Sequence, residues 1–480
     1  MEGTTTTLPS RASSPLSLVV LCLASAALLP AVTLLRHPLV VAGCLVMLLT
    51  LLAHVTFRRL RGTLDYFEVL IPYTVLQLLS YGVGAYFLLE NPKYLQYQSH
   101  YDYLVPAMGL AVLAYASVAL GYYVAFPRLQ PSPLIQLRLV GLRPVFFLAA
   151  VGLVGQTASI MLARSFTTRA EISGIVSALQ QLAPVFLAAW FLAWHTAWAS
   201  SLPWKRRFLA PALLVPQIAY AIYGTFGGKS FTITLFALPA VAYWYARRRL
   251  PIRSLAVVTV IGIFVVFPLY NTFRAQDRRL TSERRLEQTW KQVQDWDRGE
   301  YLEHSLEQFF ARMAVVSSPA AVMRAVPRWV EYQHGRTLVS AFLSFVPRIL
   351  WPGKPMLNTA REFGHTFGLV NMVDTETYIA CTLPGEMYWN FGLPGVVVWA
   401  FLLGCLFRWI YRRFGEGGAD DGVRKSLYIA LLIQMMAGDG QQALLVAGLV
   451  KTIVLYYGVV WVLKWMGWLV PAADVPAAVA

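Results

Sequence analysis

Twelve runs of apolar residues, each long enough to cross a bilayer, dominate this chain of 480 residues. They lie near 16–35, 38–56, 66–89, 103–127, 144–163, 175–199, 207–223, 230–246, 253–270, 389–410, 426–447 and 452–470. In hydrocarbon every backbone N–H and C=O must be paired within its own segment, so a run of about 20 apolar residues crosses as a helix. The expected fold class is therefore all-α and polytopic, with about 12 transmembrane helices. Composition agrees: 57% of residues are hydrophobic and 13% charged, about half the charge of a soluble domain. A soluble enzyme, a disordered chain and a disulfide scaffold are excluded. The first run follows Arg11 and is longer than the apolar core of a signal peptide, about 7–15 residues, so it reads as an uncleaved anchor. Cys22, Cys44, Cys381 and Cys405 show no paired spacing of a zinc site.

The net charge of +16 would suggest nucleic acid in a soluble chain. Its placement gives another reason. Alternate short connections, with the N-terminus, hold 19 Lys and Arg, including Arg58, Arg59, Arg61, Arg247, Arg248, Arg249, Arg408, Arg412 and Arg413; the intervening ones hold 6. Basic loops stay in the cytoplasm. Both termini are thus expected in the cytoplasm, and no nucleic acid is needed to explain the charge.

One long segment remains, 271–388, on the outer side between the ninth and tenth spans. It divides the chain into 1–270, the first nine spans; 271–388, a loop subdomain; and 389–480, three spans and a short tail. The loop holds 14 Lys and Arg against 13 Asp and Glu, so it is densely charged yet nearly neutral. Residues 280–313 carry apolar side chains at three- and four-residue spacing, which predicts helix. Residues 337–346 are apolar but too short to span, which predicts an interfacial or re-entrant helix. Residues 347–389, rich in Pro, Gly, Trp and Tyr, predict an ordered loop.

Three patterns carry no chemistry. Gly227-Gly228-Lys229-Ser230 lacks the first glycine of a phosphate-binding loop. Asp295-Trp296-Asp297 has a metal-binding spacing but lies on a charged amphipathic helix. Gly82-Val83-Gly84, inside a span, reads as helix packing.

The chemistry gathers at the outer boundary. Asn271 to Arg279, where the ninth span ends, supplies Arg274 and Arg278, which either snorkel to lipid phosphate or meet a ligand. In 345–355 three prolines fix the backbone around Arg348, Trp351 and Lys354. Such a loop suits a phosphorylated sugar ligand, with cations for phosphate oxygens and an indole for the C–H face of a ring; a membrane anchor is the alternative. Lys229 sits on the outer turn between the seventh and eighth spans. Pro384-Gly385-Glu386 carries Glu386 into the membrane, and Gly438-Asp439-Gly440-Gln441-Gln442 puts Asp439 in a polar patch near the outer end of the eleventh span. Ionisable groups at that depth are functional candidates. Arg361, Glu362 and His365 share one predicted helical face. A carboxylate or imidazole there can take a proton from a sugar hydroxyl, and cations can stabilise a departing pyrophosphate without a metal.

At this point the chain resembles the oligosaccharide repeat-unit polymerases of bacterial envelope polysaccharides, the Wzy or O-antigen polymerase type. The resemblance rests on about a dozen spans with one long outer loop late in the chain. It rests also on Pro347-Arg348-x-x-Trp351-Pro352-x-Lys354-Pro355, and on Pro384-Gly385-Glu386 with Tyr388-x-Asn390-x-Gly392. It implies a GT-C-like membrane glycosyltransferase, metal-independent and without a cofactor. The enzyme would pass a growing glycan from undecaprenyl pyrophosphate to a lipid-linked acceptor unit, with a chain-length regulator as a possible partner. Lys229, Arg274 and Arg278 would face the pyrophosphate, although related enzymes commonly carry arginine where Lys229 stands. Arg348 and Lys354 would line the donor or acceptor path. The proton acceptor would be Glu386, Glu362 or His365, in that order; the related O-antigen ligases place a histidine in the loop, for which His334 and His365 are the candidates. A ligase differs only in its acceptor. A lipid-linked glycan flippase is the competing class, and would place its charges along a central cavity between two similar halves.

Overall fold

The computed structural model describes residues 36–95, 98–126, 129–130, 137–139, 141–165, 182–200, 203, 208–215, 229–276, 282–294, 298–346, 351, 359–374, 377–417, 422–436 and 440–471. Within them the chain is mostly helical. Five helices are long and apolar enough to cross a membrane: Pro38–Leu60, Ser99–Val124, Ile252–Phe273, Leu383–Gly415 and Gln442–Trp465. Two shorter apolar helices are Arg143–Gly155 and Val185–Ala199. The expected crossing at 16–35, the start of that at 175–199 and much of that at 207–223 lie outside the described residues. A two-stranded antiparallel ribbon pairs Leu137–Leu139 with Leu469–Pro471.

Two expected boundaries move. The run at 426–447 is not one helix: Gly422–Met436 ends before Gly438 and Gly440, and Gln442 opens the next helix. Two glycines within three residues are poor helix formers, so Gln441 and Gln442 sit at a helix start instead of inside a span. The segment 347–389 contains a helix, Thr359–Thr366. The 280–313 stretch forms two helices, Ser282–Gln294 and Arg298–Met313, and the short apolar stretch forms Arg336–Ser344. Gly82 and Gly84 do serve packing, against Cys44 and Ala314.

The Leu383–Ile410 helix organises the bundle. Gly404 faces the Val118 carbonyl and Gly121 faces the Phe401 carbonyl, so neither position has room for a Cβ. The two backbones approach as small residues allow in membranes. Near its start this helix bends at Gly392, whose φ of 66° and ψ of −155° suit glycine alone. Two residues later Pro394 offers no N–H to the Asn390 carbonyl.

At one end of the bundle the C-terminal ends of several helices meet around two buried carboxylates. Glu68 accepts from Arg58 Nε at 2.6 Å and from the Tyr122 hydroxyl at 2.7 Å. His54 Nε2 lies 3.3 Å away and Arg408 Nη1 3.5 Å away. Asp65 accepts from Trp244 Nε1 at 3.0 Å and the Tyr245 hydroxyl at 3.1 Å. Cations are favoured at helix C-termini, which suits Arg58 and Arg408 here. Glu68→Ala leaves both guanidinium groups without their carboxylate and is expected to lower stability by about 3–5 kcal/mol. Thermal unfolding in detergent measures this; an unchanged midpoint would show that the cluster does not hold the helices together.

Candidate functional site

The opposite end of the Leu383–Ile410 helix begins with Thr382-Leu383-Pro384-Gly385-Glu386. Thr382 is the N-cap, its hydroxyl oxygen accepting from the Gly385 N–H at 3.4 Å, and proline occupies the first turn. Both are helix-start residues. Glu386 follows in that first turn, where the helix dipole favours a carboxylate, and it is fully buried.

Both of its oxygens are bonded within the protein. Oε1 accepts from the Thr337 hydroxyl at 2.7 Å, and Oε2 accepts from the Gln442 backbone N–H at 2.9 Å. The Gln442 N–H is one of the donors that the first turn of a helix leaves without an internal acceptor. Asn390, one turn beyond Glu386, donates to Thr337 Oγ1 at 2.8 Å and to the Glu386 carbonyl at 2.7 Å, while its own Oδ1 accepts from Gly335 N at 2.9 Å. The Asn390 carbonyl that Pro394 cannot satisfy accepts from His334 N, and the Trp389 carbonyl accepts from Gln333 N. The bend thus creates two acceptors, and the 333–335 turn fills them.

Gln441, oriented to satisfy both donors, accepts through its amide oxygen from Ala360 N at 2.6 Å and Thr359 N at 2.9 Å. It caps the Thr359–Thr366 helix. Phe363 of that helix and Phe367, just past its end, pack on Trp389, with ring centroids 6.0 and 5.2 Å from it. Four helix N-termini therefore converge, those of Arg336–Ser344, Thr359–Thr366, Leu383–Ile410 and Gln442–Trp465, with Glu386 at their junction. From Glu386 to Arg408 the helix path is about 33 Å, close to the hydrocarbon thickness of about 30 Å. The two polar centres thus stand one bilayer apart.

Beside the junction opens a cavity of about 460 Å³, lined by Ala360, Tyr378, Ala380, Gln434, Gly440, Gln441, Leu444 and Leu445. Arg361 Nη2 donates to the Tyr378 hydroxyl at 3.1 Å. Glu362 pairs with Arg336 at 3.1 Å, both ends partly open to solvent. His365 Nε2 lies 2.9 Å from the Asp374 carbonyl; a carbonyl only accepts, so Nε2 carries the proton and Nδ1 is the lone-pair nitrogen of the neutral ring. Burial pushes the Cys381 thiol well above its ordinary pKa, which makes it a poor nucleophile.

Of the residues singled out in the sequence, the structure places Glu386 in the first turn of its helix, and Glu362 in the first turn and His365 in the last turn of the short Thr359–Thr366 helix packed beside it. Trp351 is exposed. Arg278, Arg348, Lys354 and Asp439 lie outside the described residues. Lys229 opens the Lys229–Arg247 helix, whose other end reaches Asp65 through Trp244 and Tyr245. Its backbone therefore lies toward the Glu386 end. Arg274 lies in the Phe267–Ala275 helix, at the end of the Ile252–Phe273 crossing away from Arg247. Thr337, Gln441, Gln442 and the anchoring role of Asn390 were not assigned from sequence. Gln441, Gln442 and Asn390 stood in quoted motifs, whereas nothing marks Thr337. Among the described residues no group of three His, Cys, Asp or Glu side chains is arranged to hold a metal ion.

Residues 152–464 match a family model described as Domain of unknown function (DUF8712). No curated protein and no solved structure matches the chain.

Proposed function

Because the chain belongs to the DUF8712 family, a family defined by a domain of unknown function, we propose its activity from its own residues: polymerisation of lipid-linked oligosaccharide repeat units. The reading places a twelve-span, GT-C-like enzyme in the bacterial inner membrane, with both termini cytoplasmic and the Glu386 junction facing the periplasm. The observation that carries it is the convergence of four helix N-termini and three of the polar motifs beside one cavity, at the end of the bundle to which Lys229 and Arg274 run. The positive helix ends and the cations at this end of the bundle suit a lipid pyrophosphate held outside the cavity, with the glycan reaching into it.

In the proposed step an acceptor sugar hydroxyl attacks the anomeric carbon of the donor glycan. The bond from that carbon to the pyrophosphate oxygen breaks, and undecaprenyl pyrophosphate leaves with the electron pair. Lys229, Arg274 and Arg278 stabilise the growing charge on the pyrophosphate, without a metal ion. Arg348, Lys354, Trp351 and Asp439 guide the glycan. The hydroxyl proton passes to His365 Nδ1. Glu362 is engaged by Arg336, and Glu386 is enclosed with both oxygens bonded, so Glu386 positions the helices around the reacting groups. His365→Ala is expected to lower turnover by about 10²-fold or more with little change in KM; steady-state kinetics on a synthetic lipid-linked unit test this, and unchanged turnover would remove His365 from the step.

A gene deletion separates polymerase from ligase. Loss of a polymerase leaves single repeat units attached to their final acceptor. Intact polymer stranded on the lipid carrier would instead identify a ligase.

A further inference from the structure

We propose that the cavity lined by Tyr378, Gln434 and Gln441 is a binding site for an uncharged sugar ring, and that it rejects anionic sugars and phosphate. The inference rests on the glycan-transfer reading and narrows it, by assigning the chemical class of ligand to one particular cavity.

Its size, about 460 Å³, falls in the range of small-ligand pockets, about 300–1,000 Å³. Its walls come from four segments that are already tied together. Ala360 belongs to the helix capped by Gln441, and its carbonyl accepts from Ile379 N. The Ala380 carbonyl accepts from the Ser318 hydroxyl. Gln434 donates to the Ala430 carbonyl and to Thr452 Oγ1. Gln441 leads directly into Gln442, whose N–H bonds Glu386. The cavity is thus preformed, and binding there orders little.

Among the described residues the lining has no charged side chain. An anion inside would lose its hydration without gaining a counter-charge, which is unfavourable by several kcal/mol in general. The nearby cation, Arg361, is not a lining residue and is engaged with the Tyr378 hydroxyl and ring. A lipid chain is disfavoured from the other side, because it would leave the remaining hydrogen-bonding capacity of two amides and a phenol facing hydrocarbon. What the lining does offer is amide donors and acceptors, an aromatic ring and the apolar edges of Leu444 and Leu445. Each hydroxyl of a sugar both donates and accepts, and its C–H face is apolar, so a neutral sugar satisfies both kinds of surface.

The full-length protein in nanodiscs tests this by saturation-transfer NMR. The probes are the methyl glycosides of glucose, galactose, mannose and N-acetylglucosamine, methyl glucuronide, and sodium pyrophosphate as competitor. At least one neutral glycoside should give a signal that Leu444→Trp and Ala380→Trp, which fill the cavity from different walls at exposed positions, each weaken about tenfold. Methyl glucuronide should give about a tenth of that signal or less, and pyrophosphate should not compete. The proposal is overturned if no neutral glycoside binds, if both filled variants bind normally, if the glucuronide binds equally, or if pyrophosphate displaces the glycoside. Loss of the signal in only one filled variant supports the site, provided that variant elutes as folded protein. Sugar binding in the cavity without polymer formation would overturn the transferase reading alone. Polymer formation with normal binding in both filled variants would overturn the cavity assignment alone.

Discussion

Glu386→Ala is expected to abolish the proposed polymer formation and to lower the unfolding midpoint of the purified protein. The side chain joins the starts of three helices through Thr337, Gln442 and its own helix. Its removal leaves the Thr337 hydroxyl and the Gln442 N–H without acceptors in a buried place, at about 1–3 kcal/mol for each. Glu386→Gln separates positioning from proton transfer. The amide keeps the volume and one carbonyl oxygen, and the Thr337 hydroxyl can turn to accept from its NH2 group. Turnover within about tenfold of the parent is expected for a positioning residue, whereas loss of an essential base costs about 10²–10⁴-fold. If Glu386→Gln is as inactive as Glu386→Ala while unfolding at the parental temperature, Glu386 is the base and His365 is not.

Gly404→Ala is expected to be the most damaging single methyl addition in the described bundle. The new Cβ would fall on the Val118 carbonyl oxygen, and the reciprocal position, Gly121, faces the Phe401 carbonyl in the same way. These are backbone atoms of two packed helices and cannot rotate aside. Overpacking costs about 1–3 kcal/mol where side chains adjust, and here about 3 kcal/mol or more is expected. Gly458→Ala is the control: nothing lies within 4 Å of the added carbon, and alanine is the better helix former by about 1 kcal/mol. Fluorescence-detected size exclusion after heating reads both. Equal thermal survival of Gly404→Ala and Gly458→Ala would mean that the two helices do not interlock at these glycines.

The apolar runs were legible because bilayer thickness fixes the length of a crossing, and five of them stand as helices of spanning length among the described residues. The junction was legible only in pieces. Pro384-Gly385-Glu386 and Gln441-Gln442 were visible as polar groups where apolar ones prevail, but their meeting is a tertiary fact. The bond from Gln442 N to Glu386 Oε2 spans 56 residues. Thr337 opens an apolar stretch that gives no sign of a buried hydroxyl relay. The break between Met436 and Gln442 is hidden in the hydropathy, which averages over the two glycines between them. Asn390 and Gly392 stand together in the sequence because of the bend, which frees the carbonyls that hold the 333–335 turn. The Glu68 cluster was not read at all, since His54, Glu68 and Arg408 sit in different runs.

The central claim is glycosyl transfer between lipid-linked units at the Glu386 end of the bundle. It is tested most directly by giving the purified protein a synthetic undecaprenyl pyrophosphate-linked repeat unit in the presence of EDTA and resolving the products by size. The account predicts a ladder of lengthened glycans with release of undecaprenyl pyrophosphate, lost in Glu386→Ala and unaffected by chelation. No ladder with or without divalent metal would contradict the transfer reaction, and a ladder stopped by EDTA and restored by a divalent ion would contradict its metal-independent form.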